Sequence, residues 1–143
     1  MITIHNIVLN YFKPKKFEMN SNGTIYDLIG IKLYKKYLPS TGDLVRKWRN
    51  IKQIKIGTTG RLNELYRYER KTRNYELRHI FGAMLLIILS FLLDRKLTLF
   101  DWIFLPALNL YVNIYPIFLQ RYNRMRIINL LQSQGYKNPY VSP

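Results

Sequence analysis

The sequence predicts an all-α integral membrane protein, a helical hairpin whose first helix has a long amphipathic N-terminal extension and is preceded by basic surface helices. Residues 80–93 are 14 residues without a charge, and residues 97–119 are 23 residues with one charge, Asp101. A membrane-spanning helix needs about 20 mostly apolar residues. The second stretch is long enough by itself. The first becomes so if its helix begins earlier and the basic side chains before it extend toward the lipid headgroups.

The charge balance limits the partners that the chain can have. Its 143 residues include 23 Lys and Arg against 8 Asp and Glu, a formal net charge of +15. Such a charge suits nucleic acid or the anionic cytoplasmic face of a membrane. No nucleic-acid recognition motif is present and the basic residues lie beside apolar stretches, so we expect a membrane and no nucleic acid. The absence of cysteine excludes disulfides, thiolate metal sites and a cysteine nucleophile.

We predict one membrane domain over residues 1–143. It divides into basic surface helices at 25–60, a long helix at 61–93 that enters the membrane, and a second membrane helix at 97–126. No internal repeat or linker indicates a second domain.

The segments outside the hairpin have weaker patterns. Residues 1–12 are mildly apolar, too short to span a membrane and without the features of a cleaved signal, so we interpret them as mature sequence. Thr24 is expected to cap one helix over residues 25–38, amphipathic and basic, with a short basic helix at 43–52. The chain is expected to end in a loose tail at 135–143.

The distribution of charge predicts the orientation. Basic residues flank both outer ends of the hairpin, whereas the connecting turn at 94–96 holds two basic residues and one acidic residue. The positive-inside rule then predicts a multi-pass protein of the cell membrane with both termini in the cytoplasm.

Polar residues on both predicted helices form faces beside the apolar stretches. On the first helix the spacings are four, three and three, which places all members on one face: Glu69, Arg73, Glu76 and His79. On the second helix the spacings are seven and four, with Asn123 at the border: Asn113, Gln120 and Arg124. Polar groups at this depth usually face protein or water and indicate function.

An antiparallel hairpin about residues 94–96 brings the two faces together. Pairing at equal distances from the turn predicts His79 beside residues 111–113, Glu76 beside 114–115 and Glu69 beside 120–121. The alternative is structural: Glu69–Arg73 and Arg73–Glu76 are then intrahelical ion pairs, and the amides of the second helix are interhelical hydrogen bonds.

Glu76 and His79 also match half of a di-iron carboxylate motif. The second helix offers no carboxylate except Asp101, at the opposite end, so we expect no metal and no other cofactor. Phosphate-binding glycine loops and the GxSxG motif of serine hydrolases are absent, which argues against a covalent serine hydrolase.

Three stretches, residues 30–42, 69–79 and 113–126, together resemble the glycosyl-4,4'-diaponeurosporenoate acyltransferase family (CrtO). The most specific element is the QRYNR run at 120–124, followed by ExxxRxxExxH at 69–79. Two features depart from the family: its apolar N-terminal segment is usually longer, and tryptophan commonly stands where this chain has Tyr34. The resemblance implies a membrane acyltransferase that places a fatty acyl chain on a sugar hydroxyl of a glycosylated carotenoid, as in staphyloxanthin-type biosynthesis.

Acyl transfer to a hydroxyl needs a base, a stabilised carbonyl oxygen and a grip on the donor. Histidine changes protonation near neutral pH and is the natural base, so the candidate catalytic residues are His79, Glu76 and Glu69. The candidate substrate-binding residues, whose arginines suit donor phosphates, are Arg73, Asn113, Gln120, Arg121, Tyr122, Asn123 and Arg124.

The expected partners are an acyl donor, acyl-CoA or acyl carrier protein, and a lipid-like glycosylated acceptor. The rival to an enzyme is a non-catalytic membrane subunit or lipid-binding protein, in which the polar faces only pack the hairpin.

Overall fold

The computed structural model describes residues 10–20, 24–37, 62–92 and 97–140, and within these ranges every regular element is helical. The prediction of an all-α fold is confirmed. The helices are α1 (Lys16–Asn20), α2 (Thr24–Leu28), α3 (Ile31–Tyr37), α4 (Leu62–Leu92), α5 (Leu99–Asn109) and α6 (Tyr115–Ser133), and a π-helical turn (Leu110–Ile114) joins α5 to α6. Residues 1–9, the predicted helix at 43–52 and the predicted turn at 94–96 lie outside the described ranges.

Helices α4 and α6 form the main helix pair. The buried residues of α4 follow spacings of four, three, four and seven, a stripe that keeps one side of the helix toward its neighbour: Leu65, Glu69, Thr72, Glu76 and Ala83. The apolar end of this stripe packs on α6, where Leu65 lies in a cluster with Ile127 and Leu131. Unusually, the middle of the stripe is polar.

Two helical stretches, Leu62–Leu92 and Leu99–Ser133, are long and apolar enough to cross a membrane. Only 11% and 17% of the residues in their most apolar 18-residue windows are buried within the protein. The core helix of a soluble protein would bury most of such a window, because exposed apolar surface is unfavourable in water. The exposed apolar surface here is instead matched to a lipid environment.

The second long helix begins at Leu99, two residues later than predicted, because Thr98 and Asp101 form a capping box. The Asp101 carboxylate accepts from the Thr98 backbone N–H at 2.9 Å, and the Thr98 hydroxyl accepts from the Asp101 N–H at 3.3 Å. The single charge in the apolar stretch is therefore a cap. The helix then continues to Ser133, beyond the predicted end at 126.

A π-helical turn interrupts this helix at its middle. The Tyr115 N–H donates to the carbonyl of Leu110, five residues back, and Pro116 has no N–H to donate. The carbonyl of Tyr111 is therefore left without its usual helical partner, and the hydroxyl of Tyr34 donates to it at 3.1 Å. This bond attaches α3 to the middle of the second long helix.

The prediction of one helix over residues 25–38 is wrong. Gly30 has a φ of +75°, a backbone conformation that a glycine adopts at little cost, and it separates α2 from α3. The break turns Tyr26, Ile31 and Tyr34 inward, where they pack with Leu119 and Met125.

The prediction of a loose tail from Gly135 is wrong as far as Tyr140. Gly135, with a φ of +75°, ends α6 in a Schellman motif, in which the Tyr136 N–H bonds to the carbonyl of Leu131 at 2.9 Å. The chain then returns along α4, where the hydroxyl of Tyr66 donates to the carbonyl of Lys137 at 2.7 Å.

Candidate active site

The polar faces of α4 and α6 meet in a buried network of arginines and glutamates. Arg124 lies at its centre with 1% of its surface exposed. Its guanidinium pairs with the Glu76 carboxylate, donates to the Thr72 hydroxyl at 3.2 Å and lies 4.0 Å from Glu69. The Nη1 of the same guanidinium donates to the backbone carbonyl of Phe12 at 3.0 Å. The planar fork of an arginine suits such a junction, since it has five donors in fixed directions.

Arg121 joins the N-terminal helices to this network. It donates to both oxygens of Glu18, from Nε at 3.0 Å and from Nη2 at 3.1 Å, and its Nη1 lies 3.4 Å from Glu76. The hydroxyl of Tyr26 donates to the same Glu18 carboxylate. Burial acts to raise the pKa of Glu18, but the hydrogen bonds from Arg121 and Tyr26 outweigh it, and the net pKa is lowered.

Glu69 forms the outer end of the network. It pairs with Arg73 one turn later on α4 at 3.0 Å, and it accepts a hydrogen bond from the hydroxyl of Tyr140. Burial and the hydrogen bond to this carboxylate raise the pKa of Tyr140. Arg73 also lies over the ring of Tyr140, 6.0 Å from its centre.

Among the residues that the structure describes, the charges of the network balance. Three arginines, on α4 and α6, face three glutamates that all have less than 4% of their surface exposed. Within the described ranges, no buried side-chain nitrogen or oxygen lacks a hydrogen-bond partner. Such an arrangement is sensitive to loss of one member, because a buried charge without its partner is costly.

His79 lies one turn beyond Glu76 on α4 and is partly exposed. No side chain of the described ranges makes a hydrogen bond to it, and both oxygens of Glu76 are directed at arginines instead. The imidazole is therefore available to a ligand that approaches along α4. Gly82, one turn further, marks the beginning of the apolar stretch.

Asn113 is buried but separate from the ion network. Its amide donates to the side chain of Asn109 at 2.8 Å, and Asn109 donates to the carbonyl of Ala83 at 3.3 Å. The Oδ1 of Asn113 lies where a side chain at position 82 would begin, since a Cβ there would be 2.7 Å from it. Gly82 therefore allows the two long helices to approach closely.

The other predicted binding residues of α6 are only partly buried: Gln120, Tyr122 and Asn123. The ring of Tyr122 packs on Tyr26 at 5.6 Å between centres, and the guanidinium of Arg126 lies 5.7 Å from the centre of the same ring. Gln120 and Asn123 make no hydrogen bond to any part of the chain that the structure describes, which leaves their amides available.

The predicted register between the helices is wrong. Glu76 contacts arginines at 121 and 124 rather than residues 114–115, and Asn113 lies against Gly82 rather than His79. The second helix starts later than predicted and contains a π-turn, which adds one residue and rotates everything after it.

The contributors to the network that were not predicted include Glu18, Tyr26, Thr72, Tyr140 and the Phe12 carbonyl. Glu18 is the only acidic residue among the first 26, a signal that could have identified it as a buried partner for an arginine. No sequence pattern indicates a backbone carbonyl or the return of the tail. Among the described residues, no three His, Asp or Glu side chains are grouped in a way that could hold a metal.

Comparison with known proteins gives one match. None of the curated proteins and none of the solved structures is similar to this chain. The family model for glycosyl-4,4'-diaponeurosporenoate acyltransferase, CrtO, matches residues 9–133, a range that includes the ion network, His79 and both long apolar helices. With most of its length covered by this match, the chain belongs to the CrtO acyltransferase family.

Proposed function

We propose that this chain is a membrane acyltransferase that esterifies a fatty acyl chain onto a sugar hydroxyl of a glycosylated carotenoid or a similar glycolipid, as in staphyloxanthin-type biosynthesis. The observation that carries the proposal is the family match over residues 9–133. The geometry supports it, because an accessible histidine lies next to a charged network where the apolar part of α4 begins. Both a lipid-borne hydroxyl and a water-soluble donor can reach such a position.

The proposal places the two long helices across the cell membrane as a hairpin. The low burial of their apolar windows supports insertion. The basic residues at the outer ends favour a cytoplasmic location for both chain ends. The ion network and His79 then lie at the cytoplasmic surface, where an acyl donor is available.

The proposed reaction has one proton route. His79 accepts the proton of the sugar hydroxyl while the hydroxyl oxygen attacks the carbonyl carbon of the acyl thioester. The new ester forms, the carbon–sulfur bond breaks, and the proton passes from the imidazole to the leaving thiolate. The donor is acyl-CoA or an acylated carrier protein, and both release a thiol.

In the proposed reaction, the two glutamates of α4 hold arginine side chains in place and do not contact the substrates. Glu76 and Glu69 are positioning residues, since each is occupied by guanidinium groups. Arg124 is too deeply buried to meet a donor, whereas the side chains of Arg121 and Arg73 remain 14% and 22% exposed. We assign the donor's anionic groups to these two arginines.

The remaining candidate residues are assigned to binding of the glycosylated acceptor. The free amides of Gln120 and Asn123 can donate to sugar hydroxyls or to the carbonyl oxygen as it becomes negative. Tyr122 is partly exposed beside them, and the part of its ring that Tyr26 and Arg126 leave uncovered can contact the acceptor. Asn113 lies nearer the apolar stretch, and its contact with Gly82 sets the separation of the helices there.

A specific observation favours the second candidate function, a non-catalytic membrane subunit or lipid-binding protein. Within the described part of the chain the charges of the ion network balance without any ligand, as expected if the network only joins helices. This alternative requires the chain to have no activity of its own, and it leaves the accessibility of His79 without a role.

The experiment compares wild type with His79→Ala and with a control, Asn74→Ala, an exposed position on the same helix. Membranes that contain each variant receive isotopically labelled acyl donor and a lipid extract, and acylated products are identified by mass spectrometry. We expect a loss of about 10²–10⁴-fold in rate for His79→Ala, as for removal of a general base, and no loss for Asn74→Ala. Full activity of folded His79→Ala would refute the assignment.

A further inference from the structure

The short helices α2 and α3 present an apolar surface that no other described part of the chain covers. The largest exposed side chains are Leu28 and Leu33, with 82% and 63% of their surface accessible. Tyr37 is exposed to a similar degree, 60%, and smaller contributions come from Ile25 and Ile29. The opposite side of the same two helices is fixed to the protein by Tyr26, Ile31 and Tyr34. The exposed surface, which we call the α2–α3 apolar face, is therefore held in one orientation.

The attachment of α3 fixes its level along the hairpin. The ring of Tyr34 packs against Tyr111 and Tyr115, with 5.4 Å and 5.1 Å between centres. Asn113, between these two residues, lies against Gly82 of α4. Gly82 is the third residue of the uncharged stretch 80–93. The α3 part of the α2–α3 apolar face is thus level with the point where the hairpin becomes apolar. Tyr26 of α2, which packs on Tyr122 and bonds to Glu18, places the other part at the level of the ion network.

Basic residues accompany this face. Lys32 and Lys36 are exposed, and Lys13, Lys15 and Lys16 precede them in the same segment. Lys32 pairs with Asp27 at 2.7 Å in an exposed contact, which is weak and open to competition by other anions. An exposed apolar surface with lysines beside it is the pattern of a helix that lies in the membrane interface and attracts anionic headgroups.

We propose that the α2–α3 apolar face docks into the anionic lipid leaflet that surrounds the cytoplasmic end of the hairpin. This inference rests on the proposed membrane insertion of α4 and the second long helix, and it adds a third, interfacial contact. Leu28 and Leu33 enter the upper acyl-chain region, and Lys32 and Lys36 meet lipid phosphates. Because Glu18 and Tyr26 precede this face and bind into the ion network, the contact fixes the height of the proposed active site above the lipid.

The absence of cysteine makes the test direct. Single substitutions Leu28→Cys and Leu33→Cys in the full chain carry a nitroxide spin label, and the protein is reconstituted into vesicles. The rate at which the label collides with oxygen, which concentrates in lipid, is divided by the rate at which it collides with a water-soluble nickel chelate. This oxygen-to-nickel ratio rises with the depth of the label in the membrane. Ile103→Cys, exposed on α5, reports insertion of the hairpin, and Asn63→Cys, exposed at the start of α4, reports water.

The proposal expects an oxygen-to-nickel ratio at positions 28 and 33 well above that of the Asn63 label and below that of the Ile103 label. A ratio equal to that of the Asn63 label, with the Ile103 label in lipid, overturns the proposal and leaves hairpin insertion intact. An Ile103 label in water refutes insertion itself. If the labels at positions 28 and 33 are protected from both reagents and their spectra show spin–spin broadening, a second copy of the chain covers the face. That result overturns docking into lipid.

The preference of the α2–α3 apolar face for anionic headgroups is tested by a comparison of two lipid compositions. In vesicles that mix phosphatidylglycerol with phosphatidylcholine, labels at positions 28 and 33 are expected to lie deeper than in phosphatidylcholine alone. Lys32→Gln with Lys36→Gln should reduce this difference, since each lysine near an anionic surface changes the equilibrium about fivefold. The matched pair Arg70→Gln with Lys71→Gln, exposed on α4, should leave it unchanged. Equal depth in both lipids overturns the electrostatic part of the proposal.

Discussion

Replacement of Arg124 by methionine tests the ion network most severely. Methionine keeps much of the side-chain volume but removes the charge and all five donors. The Glu76 carboxylate then retains Arg121, 3.4 Å away, and the hydroxyl of Tyr11. The carbonyl of Phe12 loses its 3.0 Å hydrogen bond. Glu69 keeps Arg73, so the damage is concentrated at Glu76.

The expected cost follows from burial. Removal of one member of a buried ion pair costs about 3–5 kcal/mol, because the remaining charge is left without compensation in a poorly solvated position. The partial compensation by Arg121 favours the lower end, about 3 kcal/mol. Since 1.4 kcal/mol is tenfold, the unfolding equilibrium should shift by about a hundredfold.

The assay is reversible unfolding in mixed detergent micelles, followed by far-ultraviolet circular dichroism as the denaturing detergent increases. Arg126→Met, an exposed arginine on the same helix, is the matched control and should cost less than about 1 kcal/mol. The double variant Arg124→Met with Glu76→Gln should recover part of the loss, because the uncompensated carboxylate is gone. Equal small effects of Arg124→Met and Arg126→Met would refute the reasoning.

Three further predictions concern the attachments around the network, all measured by the same unfolding assay. Gly82→Ala should destabilise by about 1–3 kcal/mol, because its Cβ would lie 2.7 Å from the Oδ1 of Asn113 and displace this buried, hydrogen-bonded side chain; no loss would show that the Asn113 side chain moves aside at little cost. Tyr34→Phe should cost about 1 kcal/mol, since the Tyr111 carbonyl loses its partner, and Tyr34→Trp, which keeps a donor, should cost less; equal losses would exclude the hydrogen bond as the cause. The pKa of Tyr140 is raised, so its contribution to the free energy of unfolding is complete below about pH 10, the ordinary tyrosine value, and is lost as the pH rises through the raised value. Tyr140→Phe should remove this loss of stability at alkaline pH. An unchanged dependence of stability on pH would contradict the prediction.

The helical hairpin could be predicted from the sequence because its evidence lies in residues that are near one another in the chain. Two apolar stretches separated by a short charged turn predict a hairpin, and the spacing of Glu69 and Glu76 places both on one helical face. The structure buries both residues on that face. Such predictions succeed because helical periodicity depends only on neighbours along the chain.

The predictions failed where a single residue changed the geometry. The π-turn before Pro116 rotates α6 relative to α5, so Asn113 and Arg124, aligned by spacing, face different neighbours. Gly30 divides a predicted helix and turns Tyr34 inward. Both residues were visible in the sequence, but their effect depends on which carbonyls and surfaces find a partner elsewhere.

The composition of the site depended on contacts between distant parts of the chain. Glu18 and Arg121 are 103 residues apart, and Tyr140 reaches Glu69 across 71. Helical periodicity contains no information about such pairs. The excess of basic over acidic residues did contain a hint, because a buried arginine needs a carboxylate and this chain has few.

The most direct test of the account is the activity of the purified chain alone. Wild-type protein in vesicles receives an acyl thioester and a glycosylated carotenoid or glycolipid, with no other protein present, and the ester product is measured by mass spectrometry over time. The account predicts product whose formation is lost in His79→Ala. A folded, membrane-inserted chain that makes no ester from any such pair, but does so when a second protein is added, would contradict it and establish an accessory role.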